Sequence, residues 1–444
     1  MNGLRITVAE KGSDFVGLNI TPDARCVTFP MGYSITSNDN ADITPTLRSE
    51  ILLLIRKISD CEKLQGERVC RINKNDLRHD FPIGSILYLI EDFLNRGSYY
   101  TEKEKIMGEG LPGKISWNST IKRIKPIVSE RGIAFLDFIV HKSRIKQDRL
   151  ITELHKYCVY KSFELLGFLY TAAMPDQGLI NEADVKKNRA YYVSFLDSKI
   201  SETHLELNAE FFVHMKNVIQ NFDSEDTISS ATYGTNSFHT VWESMVNEVY
   251  GTANRSEMEK YYYPKSKWVW SNGEKSKRNA PLRPDTIMID DSTGVKCCFI
   301  LDSKYYSYAA MKNDGADVSE DNSQVSVADH GSIPGTDSIQ KQITYAEFID
   351  KSKTPPKSEI SVKYKFDPDK IFNAFILPGT VDNENGIKYI GYAEADWNTQ
   401  ASEGYRKIHG FLLDTKTVMQ KRTSKDVRKM LAERILREIT NLSE

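Results

Sequence analysis

The chain has 444 residues, 40% hydrophobic and 27% charged, with a formal net charge of -2. That length exceeds one ordinary hydrophobic core and implies two or three domains, and the composition is that of a soluble globular protein. No run approaches the roughly 18 apolar residues of a membrane span, and the opening MNGLRITVAEKGSDF lacks the apolar core of a secretory signal. Six cysteines without a Cys-x-x-Cys pair suggest neither a zinc site nor a disulfide framework, which fits a cytoplasmic protein.

Near-neutral net charge decides nothing about nucleic acid, but its distribution is informative. The stretch from Lys114 to Lys146 is basic, and Lys114, Lys122, Arg123 and Lys125 are candidate DNA contacts, with a solvated charged face as the alternative. The apolar residues that interrupt it, Ile124, Ile133 and Phe135, are expected to face a core.

In chain order, Leu4–Val8, Phe15–Ile20 and Cys26–Phe29 read as short strands divided by Gly, Asp and Pro. Leu47, Ile51, Leu52, Ile55 and Ile58 then recur at helical spacing after Thr44-Pro45-Thr46. Further helices are expected over about 86–94, ending at Gly97, over 150–170, and through Phe211, Phe212, Met215, Val218 and Ile219. Another helix carries Phe238, Trp242, Met245 and Val249 and stops at Gly251. An aromatic and basic stretch, 261–275, comes next. Two β runs, Thr286–Ile289 and Val295–Leu301, are joined by Asp290-Asp291-Ser292-Thr293-Gly294, which is hairpin-turn chemistry. Residues 313–336 are acidic and polar and predict a flexible loop. After it come a helix over 338–351, strands over 371–377, 387–393 and 408–412, and a terminal helix over 426–440.

The chemistry concentrates around the hairpin. Asp285 heads its first strand within Arg283-Pro284-Asp285, and Asp302-Ser303-Lys304 ends the second. Strand alternation puts Asp302 and Lys304 on one face, and antiparallel pairing lays Asp285 beside Asp302. Two carboxylates next to an amine form a hard-oxygen cation site with a lysine at its rim. Mg²⁺ takes one or two protein carboxylates together with substrate phosphate oxygens, and such a site suits phosphodiester hydrolysis. The lysine suits the stabilisation of developing negative charge. An Asp-x-Lys triplet alone is as easily an exposed salt-bridging turn. The full pattern of Pro-Asp, apolar run, turn, apolar run and Asp-x-Lys is far more specific, and it is a PD-(D/E)xK arrangement. Glu243 is a candidate third metal-binding carboxylate, with Glu248 a weaker competitor. Lys341, Gln342 and Tyr345, near the start of the helix after the loop, are candidates to meet a phosphate, Gln342 being counted with the catalytic group and Lys341 with the DNA contacts. His155 and His239 lie in no metal-ligand spacing and read as packing or surface residues.

Phe238-His239-Thr240-Val241-Trp242-Glu243, Leu282-Arg283-Pro284-Asp285, Ile300-Leu301-Asp302-Ser303-Lys304-Tyr305-Tyr306 and Ile339-Gln340-Lys341-Gln342 resemble blocks of LlaJI-type restriction endonucleases, themselves related to McrC-like nuclease subunits. Gly113–Ile121 and Ile151–Tyr157 are similar to further blocks of that family. The resemblance implies Mg²⁺-dependent restriction of unmodified foreign double-stranded DNA and a methyltransferase that protects host sites. It also raises a companion GTP-dependent motor, which must be a separate polypeptide because the chain has no G-x-x-x-x-G-K-[ST] motif.

The expected fold is a multidomain α+β or α/β one. A mainly helical region, 1–205, would serve DNA recognition or partner docking. A PD-(D/E)xK nuclease domain, 206–444, would carry a central mixed sheet flanked by helices. Two other functions stay open: a McrC-like subunit that cuts only with a GTPase motor, and a catalytically silent DNA-binding protein. Homo-oligomerisation is equally open.

Overall fold

In the computed structural model the described residues are 4–10, 14–21, 23–35, 43–64, 77–79, 82–145, 150–170, 173–221, 231–276, 281–292, 294–306, 334–351, 366–398 and 404–441. The expected loop at 313–336 lies outside them except for its last residues, where a helix has already begun at Thr336. Strands are β1 Leu4–Val8, β2 Val16–Ile20, β3 Arg25–Phe29, β4 Leu77–His79, β5 Lys103–Glu109, β6 Lys114–Ile115, β7 Ile127–Ser129, β8 Gly132–Ala134, β9 Ile139–Ile145, β10 Ala231–Thr235, β11 Thr286–Asp290, β12 Cys297–Ser303, β13 Ile371–Gly379, β14 Ile387–Ala393 and β15 Ile408–Asp414. The principal helices are α1 Pro45–Leu64, α2 Ile83–Arg96, α3 Trp117–Arg123, α4 Leu150–Leu166, α5 Glu182–Glu202, α6 Glu206–Asn221, α7 Phe238–Tyr250, α8 Thr336–Lys351, α9 Thr415–Gln420 and α10 Lys425–Asn441.

The chain forms two compact units, one of 1–79 with 230–444 and one of 80–229. The expected division at residue 205 is therefore displaced. The first 79 residues fold with the C-terminal part, and α6, assigned to the nuclease domain from sequence, belongs to the middle unit. Nine short strands fall within the expected mainly helical 1–205, although helices α1 to α5 hold more of its residues. Taken whole, the protein is a mixed α/β one.

The first unit contains two five-stranded sheets. One runs β1-β3-β2-β10-β4, with β1 and β3 parallel and the other pairs antiparallel. The other runs β11-β12-β13-β15-β14 and is mixed, parallel in its interior and antiparallel at both edges. Apolar runs such as Ile371–Gly379 are buried at every position, as strands covered on both faces must be. Helix α8 covers one face of this sheet at helical spacing. Its Ile343 packs with Phe375, Leu377 and Leu412, while Tyr345, Ala346 and Ile349 pack with Ile287, Cys298 and Ile300.

The loop after β3 is fastened to the mixed sheet. The Met31 N–H donates to the Tyr305 hydroxyl at 2.8 Å, and Thr415 Oγ1 donates to the Met31 carbonyl at 3.0 Å. Gly32 has φ +72°, and a Cβ there would stand 2.6 Å from the Gly379 backbone, so this approach of two main chains admits only glycine.

The middle unit joins a sheet of order β5-β9-β6 and a β7–β8 hairpin to the helices α2, α4, α5 and α6. Helix α5 begins with a reciprocal capping box between Asn181 and Asp184. His155, fully buried on α4, accepts the Tyr100 N–H at 2.9 Å, and burial beside Arg96 pushes its imidazole down to about 3. It is a packing residue, as expected. Cys26, Cys158, Cys297 and Cys298 are free thiols, whereas Cys61 is disulfide-bonded.

Candidate active site

The hairpin β11–β12 pairs Thr286 with Leu301 and Asp290 with Cys297, so the register carried one step outward sets Asp285 opposite Asp302. The Asp285 carboxylate accepts the Ser303 N–H at 2.8 Å, which fixes it across the end of β12. Lys304 Nζ lies 2.8 Å from Asp302 Oδ2, with both side chains only partly exposed. By strand alternation Asp302 follows Cys298 and Ile300 on the face covered by α8.

One carbonyl organises the surroundings. The Ile376 oxygen accepts the Lys304 N–H at 2.9 Å and the Trp242 indole N–H at 3.3 Å. Trp242 is fully buried, so this bond holds α7, and with it Glu243, against the strand that neighbours Asp302.

The electrostatics are those of crowded carboxylates. Burial, then the Glu243 and Asp302 charges, hold the Asp285 carboxyl well above the usual carboxylate range. A hydrogen bond between the two aspartates acts in the same direction, and the Ser303 N–H only partly offsets it. Burial pulls the Lys304 ammonium down, but Asp302 and Asp285 outweigh it and keep the group charged. Burial and the charges of Asp285, Asp302 and Glu243 raise the Tyr345 phenol, which donates to the Arg283 carbonyl at 3.0 Å. Gln342, one turn earlier on α8, is fully buried with neither amide atom hydrogen-bonded. Such a group calls for a polar partner.

The structure thus brings Asp285, Asp302, Lys304 and the charge of Glu243 to one end of the mixed sheet. Glu248 drops out, being exposed and paired with Lys57 at 2.7 Å. Lys341 is exposed on α8. Lys114, Lys122, Arg123 and Lys125 are exposed in the middle unit, which also holds an apolar cleft lined by Trp117, Ile121, Pro126, Ile133, Ala134, Phe135 and Phe138. Ile133, expected to face a core, is 67% exposed, because the β7–β8 hairpin that carries it is exposed throughout. Sequence reasoning missed Trp242 and the Ile376 carbonyl as organisers. A main-chain acceptor over 130 residues distant leaves no mark on residue type.

Among the described residues no three of His, Cys, Asp and Glu stand together as a ready-made metal site. The donor set nevertheless fits a hard cation, since the crowding of carboxylates that raises Asp285 is relieved by a positive charge between them. This has a measurable consequence. A carboxyl whose folded pKa is raised binds protons more tightly folded than unfolded, so its penalty is absent in acid. The penalty grows as pH rises from the unfolded toward the folded value. Asp285→Asn is therefore expected to raise the melting temperature of the metal-free protein at neutral pH and to leave it unchanged in acid. A melting series in chelator that shows no gain at neutral pH would remove the crowded-carboxylate account.

The sequence profile of the LlaJI restriction endonuclease family matches residues 15–399, and the chain belongs to that family. It is 26% identical over 312 residues to the type II restriction enzyme BsuMI component YdjA of Bacillus subtilis (strain 168), a match that covers 67% of this chain. The chain spans 57% of the length of that relative. Among solved structures, a refined half-complex from a tetradecameric assembly of Thermococcus gammatolerans McrB AAA+ hexamers with bound McrC aligns with 94% of this chain and 82% of its own, at 12% identity and a TM-score of 0.33. No helix among the described residues is long and apolar enough to cross a membrane.

Proposed function

We propose that this chain is a Mg²⁺-dependent endonuclease that hydrolyses phosphodiester bonds of unmodified foreign double-stranded DNA in the cytoplasm. Its active centre would be a PD-(D/E)xK one formed by Asp285, Asp302 and Lys304. The observation that carries this reading is the aspartate pair set opposite each other by the hairpin register, with Lys304 2.8 Å from Asp302 at the end of a mixed sheet. Asp285 and Asp302, with Glu243 behind them, would hold the Mg²⁺, which supplies Lewis-acid polarisation of the phosphate and a lowered pKa for water. Lys304, kept charged by the pair, would turn its ammonium to the negative charge that develops on the phosphate. The buried Gln342 amide would orient a phosphate oxygen or the attacking water. Exposed Lys114, Lys122, Arg123, Lys125 and Lys341 would contact phosphates without reading sequence, which gives the 80–229 unit a role in DNA recognition or partner docking.

A second reading is that the chain cuts only with other polypeptides. It is favoured by the relative's description as a component of a type II enzyme, and by the absence of a phosphate-binding loop from this sequence. A GTP-dependent motor and a protective methyltransferase are the partners this reading requires.

The test is digestion of unmethylated and methylated plasmid by the purified chain, with and without a GTPase partner. Cleavage of unmethylated plasmid in Mg²⁺ is expected, with binding but no cutting in Ca²⁺, which favours more ligands and looser geometry. Cutting only with the partner supports the second reading. DNA binding without cutting under every condition means a silent binding protein and refutes both.

A further inference from the structure

Pro264 and Leu282, both in the first unit, flank a segment that lies next to the candidate site in sequence. The two ends are closed by the Leu282 N–H donating to the Pro264 carbonyl at 3.1 Å, three residues before Asp285. Arg283 lies over the Tyr263 ring at 5.9 Å and its carbonyl takes the Tyr345 hydroxyl, so the base of the segment is built into the wall of the candidate active site.

Its described part is a miniature hairpin. Val269 and Lys275 form an antiparallel bridge, the Trp270 N–H donates to the Glu274 carbonyl at 2.8 Å, and the Ser276 N–H donates to the Trp268 carbonyl at 3.0 Å. Gly273 turns the chain at φ +83°. Residues two apart on a strand share a face. Trp268 and Trp270 do so, with their rings 12° from parallel and their centroids 6.1 Å apart. They are 62% and 53% exposed. Lys265, Lys267 and Lys275 are exposed on the same few residues, against Glu274.

A nine-residue hairpin gains nothing in stability from holding two of its largest apolar side chains in water. An exposed aromatic pair on a rigid turn is instead a surface kept ready for a flat, apolar partner. The surrounding lysines call for an anionic one. A nucleobase attached to its phosphates meets both demands, and every base has a π-face, so the contact needs no sequence preference. We infer that the Trp268–Trp270 hairpin is a DNA contact, stacking on a base that is unstacked from the duplex in the strand whose phosphate is presented to Asp285 and Asp302. This inference rests on the nuclease reading above and adds to it the element that grips the DNA beside the scissile bond.

The experiment is a comparison of the full-length protein with its Trp268→Leu/Trp270→Leu and Trp268→Phe/Trp270→Phe variants. Anisotropy of a labelled duplex in Ca²⁺ gives Kd, and cleavage in Mg²⁺ gives KM and kcat. The leucine variant is expected to lose about tenfold or more in affinity, since stacking contributes about 1–3 kcal/mol per base. The loss should appear in Kd and KM rather than in kcat, and the phenylalanine variant should recover most of it. An affinity unchanged in the leucine variant overturns the inference, and points to a protein partner or to no partner for this face. An equal loss in the leucine and phenylalanine variants also overturns it, because general apolar contact or misfolding then suffices. If the wild-type chain binds no DNA at all, it is the nuclease reading that fails, and the two outcomes are thus distinguished.

Discussion

Asp302→Asn is expected to lower DNA cleavage by about a thousandfold or more while leaving Kd for DNA unchanged or smaller. The substitution keeps the shape of the side chain and removes its charge. The Lys304 ammonium, 2.8 Å away, then loses its counter-ion, and Asp285 loses both a neighbouring charge and a hydrogen bond that hold its proton. The site can no longer present two carboxylates to a cation, whereas repulsion of the incoming phosphate falls. Lys304→Met tests the other half, with cation binding retained and cleavage lost. Binding measured in Ca²⁺ and single-turnover cutting in Mg²⁺ separate the two effects. A near wild-type rate for Asp302→Asn would mean that the aspartate pair is not the active centre.

The second large effect concerns stability. Glu50 on α1 is only 2% exposed and meets Lys416 of α9 at 2.7 Å. The ion pair is a main compensation for burying the carboxylate. Tyr33 lies beside it, its ring centroid 5.8 Å from the Lys416 ammonium, and burial together with the Glu50 charge raises its phenol well above the ordinary value. Lys416→Ala strands the carboxylate and is expected to cost about 3 kcal/mol of unfolding free energy. Replacing both partners, as Glu50→Leu with Lys416→Met, is expected to restore most of that. Urea denaturation of the two variants decides it. A double variant as unstable as the single one would show that shape, not charge, matters there.

What the sequence made legible is what depends on near neighbours. The hairpin from Thr286 to Ser303 needs only alternation and an Asp-Ser-Gly turn, and Asp285 and Asp302 come together through its register. Helix α7 ends at the expected glycine, and β14 spans the expected residues, 387–393. Distant pairing was not legible. Nothing in Ala231–Thr235 announces that it will lie between β2 and β4. Nor does Pro30-Met31-Gly32 announce that it will bond to Tyr305, 274 residues on. Helix α5 escaped for a different reason. It buries only Val185, Tyr192 and Leu196, too thin a stripe to register as periodicity, although Asn181-x-x-Asp184 was a readable start signal. In the β5–β9 region apolar residues such as Val128, Ile133 and Leu136 face solvent, so hydrophobicity there misreports burial.

The interleaving of the first unit also bears on how the polypeptide comes off the ribosome. Residues 80–229 form one uninterrupted stretch and can fold as soon as they emerge. Strands β1, β2 and β3 are made earlier yet must wait, because the free edge of β2 is closed only by β10 and the loop after β3 finds its acceptors only when Tyr305 and Thr415 exist. Until β10 is made the nascent chain therefore carries a three-stranded fragment with an unsatisfied edge, the kind of surface on which chains misassemble. The candidate nuclease centre is among the last parts to be completed. A truncated product that stopped before β13 would have the hairpin of Asp285 and Asp302 without the Ile376 carbonyl that holds Lys304 and Trp242, and so would lack an assembled candidate centre.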